Sequence, residues 1–344
     1  HAIDNNYHKF EYEIFCLVSD DSKEHIGSLK NIRYVTNLNA PKSFIKKIFF
    51  YESGLNKVIK SHNFNVLINF GDIPAKTNID QIFYFDWPYA VYDDYEVWRR
   101  MTIKDFASKF LKRIYFKITS NRPKKYIVQT QTMYERLSKL IKNSFIKTID
   151  VGFNQSEYLD SQSSKSEWQL TENITLIYPT AMYPHKNVEI LIDVAKLLKE
   201  LNILVNFKLT FSHNSGKKEL DFINKVNTNN LNDYFSFLGR LRRVDLVKEI
   251  KSSSAIIMPT LIETYGLPYL EAQIFNKVMF TSDRDFAREL CGNSAIFFDP
   301  LDANDIAQKI INNIFSEQIM NNYLNQIENE MQKRISWDES SLQI

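Results

Sequence analysis

Glu263-Thr264-Tyr265-Gly266-Leu267-Pro268-Tyr269-Leu270-Glu271 is the stretch on which the reading of the chain turns. Two carboxylates stand with seven residues between them, a Gly and a Pro included. The apolar run Ala255-Ile256-Ile257-Met258-Pro259 comes before it and reads as a strand; an apolar helical run follows. Pro268 suits the first position of a helix, where its missing N–H costs nothing. Glu263 then falls in a strand-to-helix loop and Glu271 in the first helical turn. The N–H groups of Tyr265, Gly266 and Leu267 lie where a helix N-terminus attracts anions. Amides for a phosphate, flanked by carboxylates that accept from hydroxyls, describe a site for a sugar nucleotide. The two acids could also simply answer the helix dipole, so the flanking sequence has to decide.

At 344 residues the chain suits two domains. Hydrophobic content of 44% and charged content of 24% are those of an ordinary globular protein. The 8 Gly against 25 Phe and 18 Tyr read as compositional bias and carry no function. Cys16 and Cys291 form no C-x-x-C pair and the 6 His have no ligand spacing, so zinc and redox motifs are absent and a reducing cytosol is expected. No apolar run reaches the ~20 residues of a spanning helix, and no signal peptide is visible.

The first half alternates strands at Glu13–Ser19, Ile32–Val35, Asn65–Phe70, Gln81–Phe85, Tyr126–Gln129 and Phe145–Asp150 with helices at Lys42–His62, Tyr95–Thr119 and Met133–Lys142. Such alternation predicts a parallel sheet covered on both faces, with ligands beyond the C-terminal strand ends. The loops Gly71-Asp72-Ile73-Pro74 and Asp86-Trp87-Pro88-Tyr89 occupy that position. No Gly-rich turn follows the first strand, and the numbering is expected to start inside the natural protein. Arg99–Lys125 carries ten Lys or Arg and one acid, Asp105, interleaved with Phe106, Phe110, Ile114, Tyr115, Phe116 and Ile118. A basic amphipathic helix of this kind can lie on an anionic membrane, or be the solvated face of a core helix. No nucleic-acid module accompanies the charge.

The polar, Ser-rich run from Gln155 to Glu172 marks a domain boundary. Beyond it strands are predicted at Ile174–Tyr178, Asn206–Phe211, Phe235–Leu238, Ala255–Met258, Val278–Thr281 and Ala295–Phe298. Helices are predicted at Val188–Leu201, Glu219–Asn227, Asp245–Ser252, Pro268–Phe275, Asp285–Leu290 and Ala303–Phe315. The ranges expected are 1–155 for a first, acceptor-binding domain, 156–172 for the linker, 173–320 for a second domain and 321–344 for a helical tail crossing back to the first. Tyr183-Pro184-His185-Lys186-Asn187 follows the first strand of the second domain, with Asn187 as a plausible N-cap. Lys186 then shares a rim with Glu263, where an ammonium can neutralise a diphosphate.

Lys186, the Glu263–Glu271 element, Phe237-Leu238-Gly239 and Ala295-Ile296-Phe297-Phe298-Asp299-Pro300 together resemble glycosyltransferase family 4, strongly over about 174–302. Looser likeness extends through Tyr126–Thr130, Asp86–Tyr89 and Ser336-Trp337. The resemblance implies α/β architecture of the GT-B type, two Rossmann-like doubly wound domains facing across a cleft and closing about the linker. It implies a retaining, metal-independent enzyme that needs no cofactor and moves a hexose from a nucleotide-diphosphate sugar to a saccharide. Glu271 would accept from the ribose hydroxyls, and Glu263 would contact the transferred sugar. Thr264 and the amides of Tyr265, Gly266 and Leu267 would meet the sugar or its phosphates, and Lys186 would hold the leaving diphosphate. Gly239 and Arg240 would border the base, read through backbone atoms. Front-face substitution, with the leaving phosphate helping to deprotonate the acceptor, is the implied route.

Three departures stand out. Many members have an arginine where this chain has Ala181, and His185, Arg240, Arg242 or Arg243 could supply the charge. Asp86 stands where many have a His that contacts the donor sugar. The Gly-rich loop of the first domain is missing from this numbering. The expected partners are the nucleotide-sugar, a lipid-linked or other saccharide acceptor of a bacterial surface polysaccharide (O-antigen or capsule), and an anionic membrane reached through Arg99–Lys125, at the inner face of the cell membrane. The departures keep open a non-catalytic GT-B subunit that supports a partner enzyme; a GT-B epimerase or phosphorylase is a third reading, with no motif for it.

Overall fold

The computed structural model describes residues 1–18, 23, 26–36, 44–71, 73–162, 167–170 and 173–344. It divides into two compact units: His1–Tyr92 with Ile103–Asn154 and Ile335–Ile344, and Asp93–Thr102 with Gln155–Arg334.

In the second unit, strands β7 (Ile174–Tyr178), β8 (Val205–Leu209), β9 (Phe235–Phe237), β10 (Ala255–Met258), β11 (Met279–Ser282) and β12 (Ala295–Phe298) form one sheet in the order β12-β11-β10-β7-β8-β9. Every pair in it is parallel. All four residues of β10 and of β11 are buried, as expected of strands covered on both faces, and this is why they read as unbroken apolar runs. Helices Ile190–Glu200, Lys217–Thr228, Arg243–Ser252, Leu267–Ile274, Asp285–Cys291 and Ala303–Ile314 follow the strands in turn. The strand order reverses between β7 and β10, which face each other in register Ala255↔Leu176 and Ile256↔Ile177. Ligands of doubly wound sheets bind beyond the C-terminal strand ends at such a switch point.

In the first unit, β3 (Val66–Asn69), β4 (Asp80–Tyr84), β5 (Lys125–Val128) and β6 (Phe145–Thr148) form a four-stranded parallel sheet. β1 (Phe15–Leu17) and β2 (Arg33–Val35) pair in parallel as a separate two-stranded sheet. Helix Trp337–Ser341 opens with a full capping box between Ser336 and Glu339. Gly152 lets this helix approach: a Cβ there would lie 2.4 Å from the Trp337 Cα. Of the expected 321–344 tail, only residues from Ile335 belong to the first unit, while helix Glu317–Met331 belongs to the second.

Two long predicted helices are interrupted. The first of them, predicted from Lys42 (residues 42–43 lie outside the described residues), runs Phe44–Phe49, a π turn Phe50–Gly54, then Leu55–Ser61. The Phe50 ring lies over Gly54, whose Cβ would stand 2.8 Å from it, so the bulge fills the space that a side chain would take. Tyr95–Thr119 splits into Tyr95–Arg99, capped by Asp94, and Ile103–Thr119. Arg100, at the break, donates to the Asn187 Oδ1 at 2.7 Å, a tertiary bond that local pattern cannot foresee. Part of the predicted linker is helical, Gln155–Gln162; residues 163–166 and 171–172 lie outside the described residues, as do Ser19 and Asp72.

Candidate active site

The loops after β7 and β10 are tied together at the switch point. Tyr178, at the end of β7, donates its hydroxyl to the Lys186 carbonyl at 2.9 Å and shares a 2.7 Å hydrogen bond with the Thr260 hydroxyl. Burial pushes the Tyr178 phenol up to about 12, which keeps it a neutral donor. The Leu261 amide donates to the His185 carbonyl at 2.8 Å. These bonds bring the Lys186 ammonium onto the Glu263 carboxylate, with side chains 17% and 10% exposed. Burial works against the Lys186 charge, but the Glu263 carboxylate outweighs it and holds the pKa above the ordinary lysine value.

Asn187 does not cap the next helix, which starts at Ile190 after Glu189. It sits in the left-handed region at φ 52°, wholly buried, and donates to the Pro300 carbonyl at 2.7 Å while accepting from Arg100. The buried side chain is thus spent on anchoring the 3-10 turn Pro184–Lys186, which presents the lysine. His185 in that turn is buried and stacks on Tyr183, ring centroids 5.7 Å apart.

Helix Leu267–Ile274 begins one residue before Pro268, with Gly266 as N-cap at φ 81°. A Cβ on Gly266 would lie 2.9 Å from the Tyr269 ring, and that ring is pinned by a 2.8 Å hydrogen bond between its hydroxyl and Thr281. Among the described residues, the amides of Gly266 and Leu267 donate no hydrogen bond, leaving them free for an anion. Thr264 and Tyr265 are buried and Leu267 is exposed. Because of the earlier start, Glu271 stands in the second turn and not the first. Its carboxylate contacts Arg243, the first residue of helix Arg243–Ser252, and Arg243 also binds Glu157 at 2.9 Å. Burial raises the Glu271 pKa, against the lowering effect of the Arg243 guanidinium. Glu157, inside the stretch predicted as linker, is the member of this triad that sequence reasoning missed.

Beyond the C-terminal ends of β7, β8 and β9 lies a cavity of about 530 Å³. Ala181, Tyr183, Phe211, Glu219, Arg240 and Leu241 are among its lining residues. Gly239, at φ 73°, turns the chain out of β9 so that exposed Arg240 faces it. Lys186, Glu263 and the Gly266 amides thus gather in one place, with Glu271 one turn further on and Arg240 at the cavity. Asp86 is in the first unit, exposed just after β4.

The O-antigen chain mannosyltransferase RfbU of Salmonella typhimurium is 23% identical to this chain over 202 residues, 57% of the chain and 54% of that protein. The chain therefore spans about half the length of the curated relative it matches. Among solved structures, WaaG, a glycosyltransferase involved in lipopolysaccharide biosynthesis, superposes with a TM-score of 0.71 at 11% identity, covering 99% of this chain and 93% of its own. Anabaena Alr3699/HepE, solved in complex with UDP and glucose, gives 0.66 at 14% identity, covering 95% and 89%. This likeness shows the fold, which is GT-B. Residues 160–333, just over half of the chain, match the family model described as Glycosyl transferases group 1, and the chain belongs to that family.

Proposed function

We propose that this chain is a retaining glycosyltransferase of family 4 type that moves a hexose from a nucleotide-diphosphate sugar to a lipid-linked saccharide in bacterial surface polysaccharide synthesis. The observation that carries the reading is the Lys186–Glu263 pair at the switch point, beside the open amides of Gly266 and Leu267. In the reaction, the bond from the anomeric carbon to the diphosphate oxygen breaks and one to the acceptor oxygen forms. The acceptor proton passes to the departing phosphate. Lys186 and the helix N-terminal amides hold the charge that develops on that phosphate, and no metal is needed for the task. Glu263 meets the transferred sugar, with Thr264 and Tyr265 shaping its pocket, and Glu271 accepts from the ribose hydroxyls. His185 supports the Lys186 turn. Asp86 is proposed as a sugar contact on sequence grounds alone.

The acceptor reading draws on helix Ile103–Thr119. Ile103, Phe106, Phe110, Leu111, Ile114 and Ile118 are all exposed and share one face, while Lys109 and Lys112 turn inward onto Tyr89 and Trp87. Lys104 and Lys117 are exposed on the same helix. An apolar stripe with basic neighbours suits the cytoplasmic face of an anionic membrane. Among the described residues, no helix is long and apolar enough to cross one.

The deciding assay is release of nucleoside diphosphate from a panel of nucleotide-hexoses, with a lipid-linked saccharide fraction as acceptor and EDTA present. The expected result is acceptor-dependent release, with a product that keeps the donor's anomeric configuration. Nucleotide binding without turnover would select the non-catalytic alternative, and absence of nucleotide binding would remove the site.

A further inference from the structure

We infer that the cavity beyond β7, β8 and β9 takes a guanine base, and that Glu219 selects it. This rests on the nucleotide-sugar reading of the adjoining site and specifies its donor class.

The hydrogen-bonding groups around the cavity leave few candidates for reading a base. Thr210 accepts from the Thr180 amide at 2.8 Å and donates to the Thr180 carbonyl at 2.9 Å. The Ser215 hydroxyl accepts from the Ser212 amide at 2.9 Å, and the Thr180 hydroxyl donates to the Ala181 carbonyl at 3.1 Å. Three of the four hydroxyls that line the cavity are thereby bonded to backbone; the fourth belongs to Tyr183, whose ring is more than half exposed and stacks on His185. Phe211, Met182 and Leu241 supply apolar wall, which suits the faces of a base but reads no edge.

Two charged side chains also line the cavity, and they are of opposite sign. Among the described residues, neither the Glu219 carboxylate nor the Arg240 guanidinium forms a hydrogen bond or an ion pair, with each other or with anything else. Both nevertheless line the same cavity. The Glu219 carboxylate lies over Gly216, with one oxygen 2.7 Å from where a Cβ of that residue would be. Arg240 follows the left-handed Gly239.

A carboxylate only accepts, and a guanidinium only donates. The base that meets this pair must show two adjacent donors on one edge and acceptors on another. Guanine does so: its N1–H and N2 amine face a carboxylate as a bidentate pair, and O6 with N7 suits an arginine. Uracil and thymine have one N–H between two carbonyl oxygens, which would face the carboxylate with like polarity. Cytosine and adenine each set a ring-nitrogen acceptor beside their amine. Two unspent charges in one cavity thus match one base of the five.

Glu219 also stands in the first turn of helix Lys217–Thr228, where an acid answers the helix dipole. A purely structural role predicts no effect on base choice, and this separates the two by experiment. Calorimetry is run with GDP, IDP, UDP, dTDP, CDP and ADP on the full chain and on Glu219→Gln, with thermal melting as a check of folding. GDP is expected to bind the parent chain at least about tenfold tighter than UDP, dTDP, CDP and ADP, the order of discrimination of one bidentate pair. IDP, which lacks the N2 amine, should bind several-fold weaker than GDP. In Glu219→Gln the GDP–IDP gap should close and the GDP preference should fall by about ten- to a hundredfold. Equal binding of GDP and UDP by the parent chain, or a GDP–IDP ratio unmoved by the substitution, overturns the guanine assignment and leaves the nucleotide site standing. If no diphosphate binds at all, the nucleotide reading fails, and the assignment with it.

Discussion

Replacing Lys186 by Ala removes the ammonium and strands the Glu263 carboxylate, whose side chain is only 10% exposed. Two separate costs follow. Breaking a buried ion pair from one side costs about 3–5 kcal/mol, and the residual exposure of this pair puts it near the lower end, about 3 kcal/mol. For a unit of this size that is a fall in Tm of roughly 6–12 °C. In catalysis, loss of one preorganised donor to a developing anion costs about 10²–10³ in rate. The double variant Lys186→Met/Glu263→Gln separates the costs, because it leaves no lone buried charge. Its Tm should return to within about 4 °C of the parent, some 1 kcal/mol, while kcat stays as low as in Lys186→Ala. Thermal melting and acceptor-dependent diphosphate release measure the two quantities. A rate loss below about tenfold in Lys186→Ala, or a double variant that regains activity with stability, would refute the assigned role.

Three more expectations concern separate groups. Arg243→Ala withdraws the cation that opposes the upward shift of Glu271, so that carboxylate protonates at a higher pH than in the parent. Nucleotide affinity should then fall several-fold more between pH 8 and pH 5.5 than in the parent chain, and equal pH dependence by calorimetry would count against Glu271 as the ribose acceptor. Lys277 is held down to about 8 by burial and by Lys208, against 10.5 for a free lysine. The unfolded chain therefore binds the extra proton between those values, and stability rises with pH across that window, by at most roughly 3 kcal/mol at 1.36 kcal/mol per unit. Melting curves of the parent and Lys277→Met from pH 7.5 to 10 should converge or cross accordingly; parallel curves would dismiss the shift. Lastly, the full chain should sediment with anionic vesicles at low salt, lose binding near 0.5 M salt as the Debye length shrinks to a few ångströms, and bind poorly as Ile103→Ser/Phe110→Ser. Binding indifferent to both changes would rule out the helix as a membrane contact.

The second unit was legible because its strands are buried on both faces. Ala255–Met258 and Met279–Ser282 are apolar or small throughout and bounded by turns, so pattern alone locates them within a residue or so. The loop from Glu263 to Glu271 was legible for another reason, since Gly266 and Pro268 carry backbone demands that show in any context. What escaped was decided by contacts between distant segments. The break at Arg100 depends on Asn187, 87 positions away, and the role of Asn187 depends on Pro300. Glu157 lies in a polar, weakly amphipathic helix that looks like linker, and only Arg243 gives it meaning. Glu219 begins the predicted helix Glu219–Asn227 with nothing local to set it apart, and only the cavity beside it gives its carboxylate a role.

These contacts share a consequence for binding. Two of the charged groups assigned to the donor are matched within the chain, Lys186 by Glu263 and Glu271 by Arg243. A diphosphate must therefore compete with Glu263 for Lys186, and a ribose with Arg243 for Glu271. Each contact is an exchange of partners, so its net gain is far smaller than the gross strength of the pair. Among the described residues, the amides of Gly266 and Leu267 and the charges of Glu219 and Arg240 have no partner to exchange. Affinity should accordingly be set more by the base and the amide-bound phosphate than by the ammonium. Lys186 contributes most where the exchange turns favourable, when the breaking bond puts more charge on the phosphate than Glu263 can offer in its place. That is a preference for the transition state over the bound donor, and it predicts that Lys186→Ala lowers kcat much more than it weakens donor binding.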